Sequence, residues 1–237
     1  MHTLRDKVIV ITGAGGAIAG AVAEAFREVG ARPALIDRDL VRIQGRAASY
    51  RTAAVASDLA TTEDAQRAID EVIAFHGHVH GLVHLVGDRV RGPVATTDEA
   101  AFDRVFSTNV RTLFVTAKAV LPHLLRQGDG FVAGIASKGA WIGGAAGGTT
   151  DQAVFAAAKS AVGAFLHALD EELRGTGVHA SVCFPMGVVD TEENRRELGR
   201  QHPGPWIDAR AIGQAFVTAA RSGPGGRLIE IPVHASG

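Results

Sequence analysis

Short runs of β-branched and apolar residues alternate with longer stretches of helical periodicity along the whole chain. A run that is apolar at every position is typical of a strand covered on both faces of its sheet. Right-handed crossovers between parallel strands then place helices on both faces. The sequence therefore predicts an α/β fold, a Rossmann-type doubly wound parallel sheet of about seven strands. The predicted strands are residues 7–12, 34–37, 53–58, 81–86, 131–136, 180–184 and 228–231.

The helices are predicted from the spacing of apolar residues and from their end signals. The first has an apolar stripe from Ile18 to Val29 and a suitable stop at Gly30. Residues 98–127, 153–174 and 208–220 predict three more, and Thr62 is the expected N-cap of another. The glycine-rich stretch 140–150 predicts a loop and not a domain boundary. Residues 1–237 are therefore expected to form one domain.

Composition and charge exclude several classes of function. The net charge of −1 gives no basis for binding nucleic acid. His76, His78 and His80 could share a face as zinc ligands, but solvated turn residues are the favoured interpretation and no metal is expected. Cys183 lies in an apolar run and is expected to be a buried hydrophobe. No apolar stretch approaches the length of a membrane span, so we expect a cytoplasmic protein with no membrane partner.

A turn of small residues joins the first strand to the first helix. The amides and dipole at a helix N-terminus favour a bound phosphate, and small residues let the backbone approach it. The alternative is an ordinary tight turn. Because this turn opens a strand–helix–strand unit, nucleotide binding is favoured. The candidate residues are Gly13, Gly15, Gly16, Ala17 and Ile18.

Three further strand ends carry candidates for the nucleotide site. Asp37 ends the second strand, where a carboxylate can accept hydrogen bonds from ribose hydroxyls and would repel a 2′-phosphate. Arg38 favours NADP, because a guanidinium can hold the 2′-phosphate. NAD is therefore expected, with NADP less favoured. Asp58 and Gly87 end the third and fourth strands, where ligands of open α/β sheets bind.

Together these segments resemble the short-chain dehydrogenase/reductase family over nearly the whole chain. The resemblance implies a nicotinamide dinucleotide, a small-molecule substrate and a set of site residues. Asp58–Leu59 matches an Asp-Leu pair, Gly187 and Thr191 match a Pro-Gly-x-x-x-Thr loop, and Asn109 and Ser137 match two catalytic positions. The chain departs from the family pattern at Ala17, Ala19 and His84.

Phe155 is the largest departure. The family's Tyr-x-x-x-Lys motif falls on Phe155 and Lys159, which are four residues apart and so share a helix face. The resemblance implies that the tyrosine hydroxyl donates a proton to the substrate carbonyl, while the lysine lowers its pKa and binds the nicotinamide ribose. A phenyl ring has no proton to give, and general acid catalysis contributes about 10²–10⁴ in rate. Lys159 is the best substitute, because burial can lower an ammonium pKa.

Two main functions remain open at this point. One is an NAD(H)-dependent oxidoreductase acting on a small carbonyl or alcohol with the usual tyrosine acid missing. The other is a dinucleotide-binding protein without redox turnover, such as a sensor or a regulatory subunit, and non-redox use of the same pocket is also possible. The apolar faces of the helices at 98–127 and 153–174 predict a homodimer or homotetramer.

Overall fold

Seven parallel strands form one sheet in the order β3-β2-β1-β4-β5-β6-β7. The computed structural model describes residues 3–141, 151–199, 202, 204–223 and 226–236. Every pairing in this sheet is parallel, which confirms the predicted α/β fold and its doubly wound topology. The strands are β1 Val8–Thr12, β2 Arg32–Asp37, β3 Ala54–Ala56, β4 Gly81–His84, β5 Gly130–Ile135, β6 Val178–Pro185 and β7 Glu230–Val233.

Helices cover both faces of the sheet. Alternate residues of β1 point to opposite sides, so Val8 and Val10 join one core cluster while Ile9 and Ile11 join the other. Helices α3, α5 and α6 pack into the first cluster, and α1, α2 and α8 into the second. The helices are α1 Ala19–Glu28, α2 Val41–Tyr50, α3 Thr62–His76, α4 Glu99–Phe106, α5 Thr112–Gln127, α6 Ala153–Glu172, α7 Glu192–Leu198 and α8 Ala209–Arg221.

Helix boundaries differ from the sequence prediction in three places. Thr61, and not Thr62, caps α3, because its hydroxyl accepts a hydrogen bond from the amide of Asp64. The predicted helix 98–127 is divided by a π-helical turn over Ser107–Arg111. Helices α2 and α7 were not predicted at all. Helix α2 is stabilised by the burial of Ile43 and Ala47, and α7 begins at the capping residue Thr191.

The three histidines His76, His78 and His80 do not form the solvated turn that the sequence suggested. Only His78 is exposed. Nε2 of His76 accepts a hydrogen bond from the Ala53 amide at 3.3 Å, and Nδ1 of His80 accepts one from the Val8 amide at 3.0 Å. Burial lowers the pKa of His80 to about 4. These two rings are therefore neutral structural acceptors.

Two further predictions concern residues of β6 and α6. Cys183 is buried in β6, and burial raises the pKa of its thiol to about 12, so it is a hydrophobe as predicted. Helix α6 is long and apolar enough, by length and composition, to cross a membrane, contrary to the prediction. Its Val162 and Leu166 pack into the core, and a core helix passes the same test. Residues 142–150 of the glycine-rich stretch lie outside the described residues.

Candidate active-site crevice

A crevice opens at the carboxyl ends of β1 and β4, where the strand order reverses. Open α/β sheets bind their ligands at such a switch point. The crevice has two parts, which share the wall residues Gly13, Gly16, Leu85, Gly87 and Asp88. The first, called here the Asp37 half, measures about 510 Å³ and is also lined by Asp37, Arg38, Arg42 and Asp58. The second, called the Lys159 half, measures about 340 Å³ and is also lined by Ala17, Ile18, Arg89, Phe155, Lys159 and Thr191.

The turn between β1 and α1 lies close against β4. Gly13 has a φ of +64°, and a Cβ on it would stand 2.9 Å from the amide nitrogen of Val86. Glycine is needed here for both reasons. The carbonyl of Ala14 accepts a hydrogen bond from Nη1 of Arg46 at 2.8 Å. The backbone of the turn is therefore held from two sides, and Gly13 and Gly16 line both halves of the crevice.

The Asp37 carboxylate is fixed by backbone donors. Its Oδ2 accepts a hydrogen bond from the Gly15 amide at 2.8 Å, and its Oδ1 accepts one from the Asp39 amide at 3.0 Å. Each carboxylate oxygen has a second lone pair that remains for a ligand. Gly15 contributes to the crevice by positioning this carboxylate and is not itself part of the wall.

The remaining candidates of the Asp37 half differ in exposure. Arg38 and Arg42 are exposed wall residues, so both present cations to this half. Asp58 lines the wall, whereas the Leu59 side chain lies in the core with 1% of its surface exposed. Any contact of Leu59 with a ligand would therefore come from its backbone.

Asn109 lies in the π-helical turn, directly behind Gly87. Such turns occur mostly as local insertions at functional sites. Its Nδ2 donates hydrogen bonds to the carbonyls of Asp88 at 2.7 Å and Val105 at 2.8 Å. Its buried Oδ1 has no hydrogen-bond partner among the described residues. Since buried acceptors are normally paired, a donor is expected to reach this oxygen from the crevice.

Lys159 lies on α6 with its ammonium buried in the Lys159 half. Its Nζ donates a hydrogen bond to the carbonyl of Ile135 at 3.0 Å. Burial lowers the pKa of Lys159 to about 8. The point where a Cβ on Gly87 would stand is 3.1 Å from this Nζ and 2.8 Å from Oδ1 of Asn109, so both polar atoms converge over Gly87.

Phe155 occupies the position one helical turn before Lys159 and lines the same half. Nζ of Lys159 lies 5.9 Å from the centroid of the Phe155 ring. Tyr50, the one tyrosine of the chain, lies at the end of α2 and donates a hydrogen bond to Glu24 at 2.9 Å. It is therefore engaged away from the crevice.

The three remaining candidates occupy different environments. Thr191 lines the Lys159 half and caps α7 by accepting the Asn194 amide, so its hydroxyl proton is still available to donate. Gly187 is not a wall residue, and a Cβ on it would stand 3.5 Å from Cδ1 of Ile207. Ser137 is half-buried beyond β5, next to the wall residues Ile135 and Ala136.

His84 is fully engaged in hydrogen bonds. Thr112 donates its hydroxyl proton to the carbonyl of Thr108 at 2.6 Å, so its oxygen accepts from Nε2 of His84 at 3.0 Å. Nδ1 must then accept from Thr12, at 2.9 Å. Burial lowers the pKa of His84 to about 3, with the charge of Lys159 adding to the effect. A neutral ring with both nitrogens in use is not a proton donor for the crevice.

Arg89, in the loop after β4, was missed by the sequence analysis and lies beside polar residues of α7. Arg89, Glu193 and Asn194 all line the Lys159 half. Arg89 pairs with Glu197 of α7, and Asp88 pairs with Arg104 at 2.9 Å. The sequence signal that could have indicated this cluster is the pair Arg89 and Arg91, closely spaced after the end of a strand. Their partners are too far away in the sequence to be recognised from it.

The geometry of this crevice fits a nicotinamide dinucleotide. The glycine turn leaves room for a close backbone approach, the Asp37 oxygens keep lone pairs for a ligand, and no donor within the described ranges reaches Oδ1 of Asn109. The sequence profile of the short chain dehydrogenases matches residues 7–201. The chain belongs to the short chain dehydrogenase family. This confirms the resemblance. The family consists of NAD(P)-dependent oxidoreductases that act on small molecules.

Relatives include characterised and uncharacterised oxidoreductases. The chain is 32% identical over 216 residues to 2-(S)-hydroxypropyl-CoM dehydrogenase 3 of Xanthobacter autotrophicus, covering 89% of this chain and 82% of that protein. It is 31% identical over 199 residues to dehydrogenase/reductase SDR family member 7B of Danio rerio, covering 79% of this chain. The match spans 62% of the length of that second relative.

Solved structures share the fold at low sequence identity. The 3-ketoacyl-(acyl-carrier-protein) reductase of Brucella melitensis, complexed with NADH, superposes with a TM-score of 0.84 at 22% identity, covering 98% of both chains. The structure of gox2181 superposes with a TM-score of 0.86 at 21% identity, covering 97% of this chain and 95% of that one. These likenesses support the Rossmann-type fold.

Proposed function

We propose that this chain is an NAD(H)-dependent oxidoreductase of small carbonyl or alcohol substrates, in which Lys159 replaces the missing tyrosine as proton donor. The observation that carries the proposal is the position of the Lys159 ammonium, buried beside Phe155 in a crevice that continues to the glycine turn. The bound cofactor would supply or accept the hydride. The chain itself would orient the carbonyl and deliver the proton.

The preference for NAD rests on Asp37. Its carboxylate is held by the amides of Gly15 and Asp39, and its free lone pairs suit ribose hydroxyls. A 2′-phosphate would meet the repulsion of this fixed charge. Arg38 and Arg42 would soften that repulsion, so NADP is the weaker ligand in this proposal.

Proton delivery would use the buried ammonium of Lys159. Its pKa of about 8 keeps most of it protonated at neutral pH and makes the loss of a proton easier than from an exposed lysine. One N–H is bonded to the carbonyl of Ile135, and two others remain. Thr191 would orient the carboxamide, Asn109 would accept a hydrogen bond through Oδ1, and Ser137 would hold the carbonyl oxygen.

A second function is supported by the scarcity of hydroxyl groups in the Lys159 half. Among the described residues that line the Lys159 half, Thr191 is the one with a hydroxyl group. A protein that binds dinucleotide without redox turnover, as a sensor or a regulatory subunit, would have no need for the tyrosine. Phe155 suits that role as well as it suits a slow enzyme.

Three proteins separate the two functions: the wild type, Phe155→Tyr and Lys159→Met. NADH binding is measured by fluorescence titration, and turnover with a panel of small aldehydes and ketones. We expect NADH binding in all three, slow turnover in the wild type, and loss of that turnover in Lys159→Met. Because the donor must be protonated, the wild-type reduction rate should fall as the pH rises through about 8.

Other results would favour the alternative or reject both functions. If the wild type binds NADH and is inert, whereas Phe155→Tyr turns over, the non-redox binding protein is favoured. If the wild type binds no dinucleotide, both functions are wrong.

The apolar groove between α5 and α6 supports a homo-oligomer. Phe114, Leu121 and Phe165 line this groove of about 350 Å³, and Phe114 keeps 47% of its surface exposed. We propose that a second copy covers it, in a cytoplasmic homodimer or homotetramer whose subunits are single domains of residues 1–237. A monomer in light scattering, at concentrations that saturate NADH binding, would contradict this.

A further inference from the structure

Two charged segments face each other at the mouth of the Lys159 half. The loop after β4 carries Arg89 and Arg91, and α7 carries Glu193 and Glu197. Nη2 of Arg89 pairs with Oε2 of Glu197 and lies 3.8 Å from Oε1 of Glu193. Nε of Arg91 lies 2.9 Å from Oε1 of Glu197. The Glu197 carboxylate is therefore shared by two arginines, one on each of its oxygens.

The two arginines differ in their relation to the crevice. Arg89 is a wall residue of the Lys159 half, together with Phe155 and Thr191, whereas Arg91 is not. Nη1 of Arg89 also reaches Oδ1 of Asn194, at 3.4 Å. Among the described residues that line this half, Lys159 and Arg89 are the cations; Lys159 is buried, and Arg89 lies at the mouth. A ligand that enters with a negative group meets its guanidinium.

Exchange of partners at Arg89 would leave the Glu197 carboxylate paired. The side chains of Arg89 and Glu197 are 34% and 36% exposed, and such ion pairs contribute little to stability. If a ligand takes Arg89, Glu197 keeps Arg91 as its partner. A planar guanidinium can hold a carboxylate, sulfonate or phosphate through two parallel hydrogen bonds. The carboxylate of Glu197 then stands where such an oxyanion would bind.

We propose that Arg89 is an anion-recognition residue of the crevice, which exchanges the Glu197 carboxylate for an oxyanion of the bound ligand. This inference rests on the proposed function, since it places a ligand in the Lys159 half. The oxyanion has two possible sources, which share this chemistry: an acidic group on the carbonyl substrate, or the pyrophosphate of the dinucleotide.

The test uses two anionic probes in the absence of cofactor. Isothermal titration calorimetry measures the binding of acetoacetate, which represents an acidic substrate, and of inorganic pyrophosphate, which represents the cofactor. Methyl acetoacetate is the uncharged control. The proteins are the wild type, Arg89→Met, Arg91→Met and Glu197→Gln, each checked for folding by thermal denaturation. Arg91→Met is the matched control, because Arg91 pairs with the same carboxylate outside the crevice wall.

We expect Arg89→Met to raise the dissociation constant of one probe at least about tenfold, the usual effect of losing a charge-assisted hydrogen bond. Arg91→Met should change it by less than about threefold. Glu197→Gln should lower it, since the competing carboxylate is gone. An effect on acetoacetate but not on its methyl ester assigns the oxyanion to the substrate, and an effect on pyrophosphate assigns it to the cofactor.

Three results would overturn the inference: a wild type that binds neither anion, an Arg89→Met variant that binds like the wild type, or equal losses in Arg89→Met and Arg91→Met. Equal losses would mean that the ion pairs only hold the loop against α7. Failure of the proposed function is detected separately, as absence of NADH binding or turnover, and leaves the calorimetric comparison readable. Arg89→Lys, which keeps the charge without the planar fork, should show a smaller loss than Arg89→Met.

Discussion

The two halves of the crevice are organised differently. In the Asp37 half, both carboxylate oxygens accept backbone hydrogen bonds, and the turn carbonyl of Ala14 is held by Arg46. In the Lys159 half, Nζ of Lys159 donates one hydrogen bond and the buried Oδ1 of Asn109 has no partner among the described residues. The Asp37 carboxylate of the first half is therefore anchored without a ligand. The second has donors and acceptors that only a ligand or a water would complete.

This difference explains how one half can retain its function while the other changes. A site made from backbone amides and glycine conformation depends on the path of the chain, which the whole sheet maintains. A site made from side-chain ends depends on single residues such as Phe155. Substitutions in the Lys159 half are therefore expected to change the chemistry without changing the fold. Substitutions in the turn between β1 and α1 are expected to change both the chemistry and the fold.

The largest effect is expected at Gly13. An alanine there would adopt a φ of +64° and place its Cβ 2.9 Å from the Val86 amide. We expect Gly13→Ala to lose about 3 kcal/mol of the free energy of unfolding and to lose NADH binding. Urea denaturation and fluorescence titration measure the two effects. Gly45→Ala in α2 is the control, because no atom lies within 4 Å of its Cβ position, and it should be stabilising by about 0.5–1 kcal/mol.

Acid pH should destabilise the protein through its buried histidines. The pKa of His84 is about 3 in the folded protein and near 6.5, the ordinary value of an exposed histidine, in the unfolded chain. Since the unfolded state binds more protons below pH 6.5, stability should fall as the pH is lowered from there toward about 3. The slope is about 1.4 kcal/mol per pH unit for each such histidine. Urea denaturation of the wild type and of His84→Asn across pH 4.5–7 measures it. Equal slopes in the two proteins would show that His84 is not buried as a neutral ring.

Gly87→Ala should separate chemistry from cofactor binding. Its Cβ would stand 2.8 Å from Oδ1 of Asn109 and 3.1 Å from Nζ of Lys159, both at the ends of side chains that can move. In a Phe155→Tyr background with measurable turnover, we expect kcat to fall about tenfold or more as the lysine is displaced. The dissociation constant of NADH should change much less. Equal losses in both quantities would show that the two halves are not independent.

The smallest effect is expected on cofactor preference. Asp37→Ser removes the fixed negative charge beside Arg38 and Arg42, so the ratio of the NADPH to the NADH dissociation constant should fall by about threefold to tenfold. Fluorescence titration with both cofactors measures it. Asp39→Ser removes a nearby exposed acid that is not a wall residue and should leave the ratio unchanged. A similar shift in both variants would assign the preference to net charge alone.

Local signals explain most of what could be predicted. The strands and the turn at Gly13–Gly16 follow from apolar runs and small residues that are contiguous in the sequence. Phe155 and Lys159 share a helix face because they are four residues apart, and Asp37 ends a strand beside the first one. The cap of α3 was misplaced by one residue, since Thr61 and Thr62 are equally good capping residues and only the helix geometry selects Thr61.

Taken by itself, the sequence determined the parallel sheet, the turn of small residues after β1, and the placing of Phe155 and not a tyrosine one helical turn before Lys159, because each depends on residue type and short spacing. Only the tertiary structure decided that His84 is a paired neutral ring and that Arg89 lies on the crevice wall against Glu197. The partners of His84 are 72 and 28 residues away, and those of Arg89 up to 108. Such pairs form when strand order and loop paths bring distant segments together, and no local pattern records them.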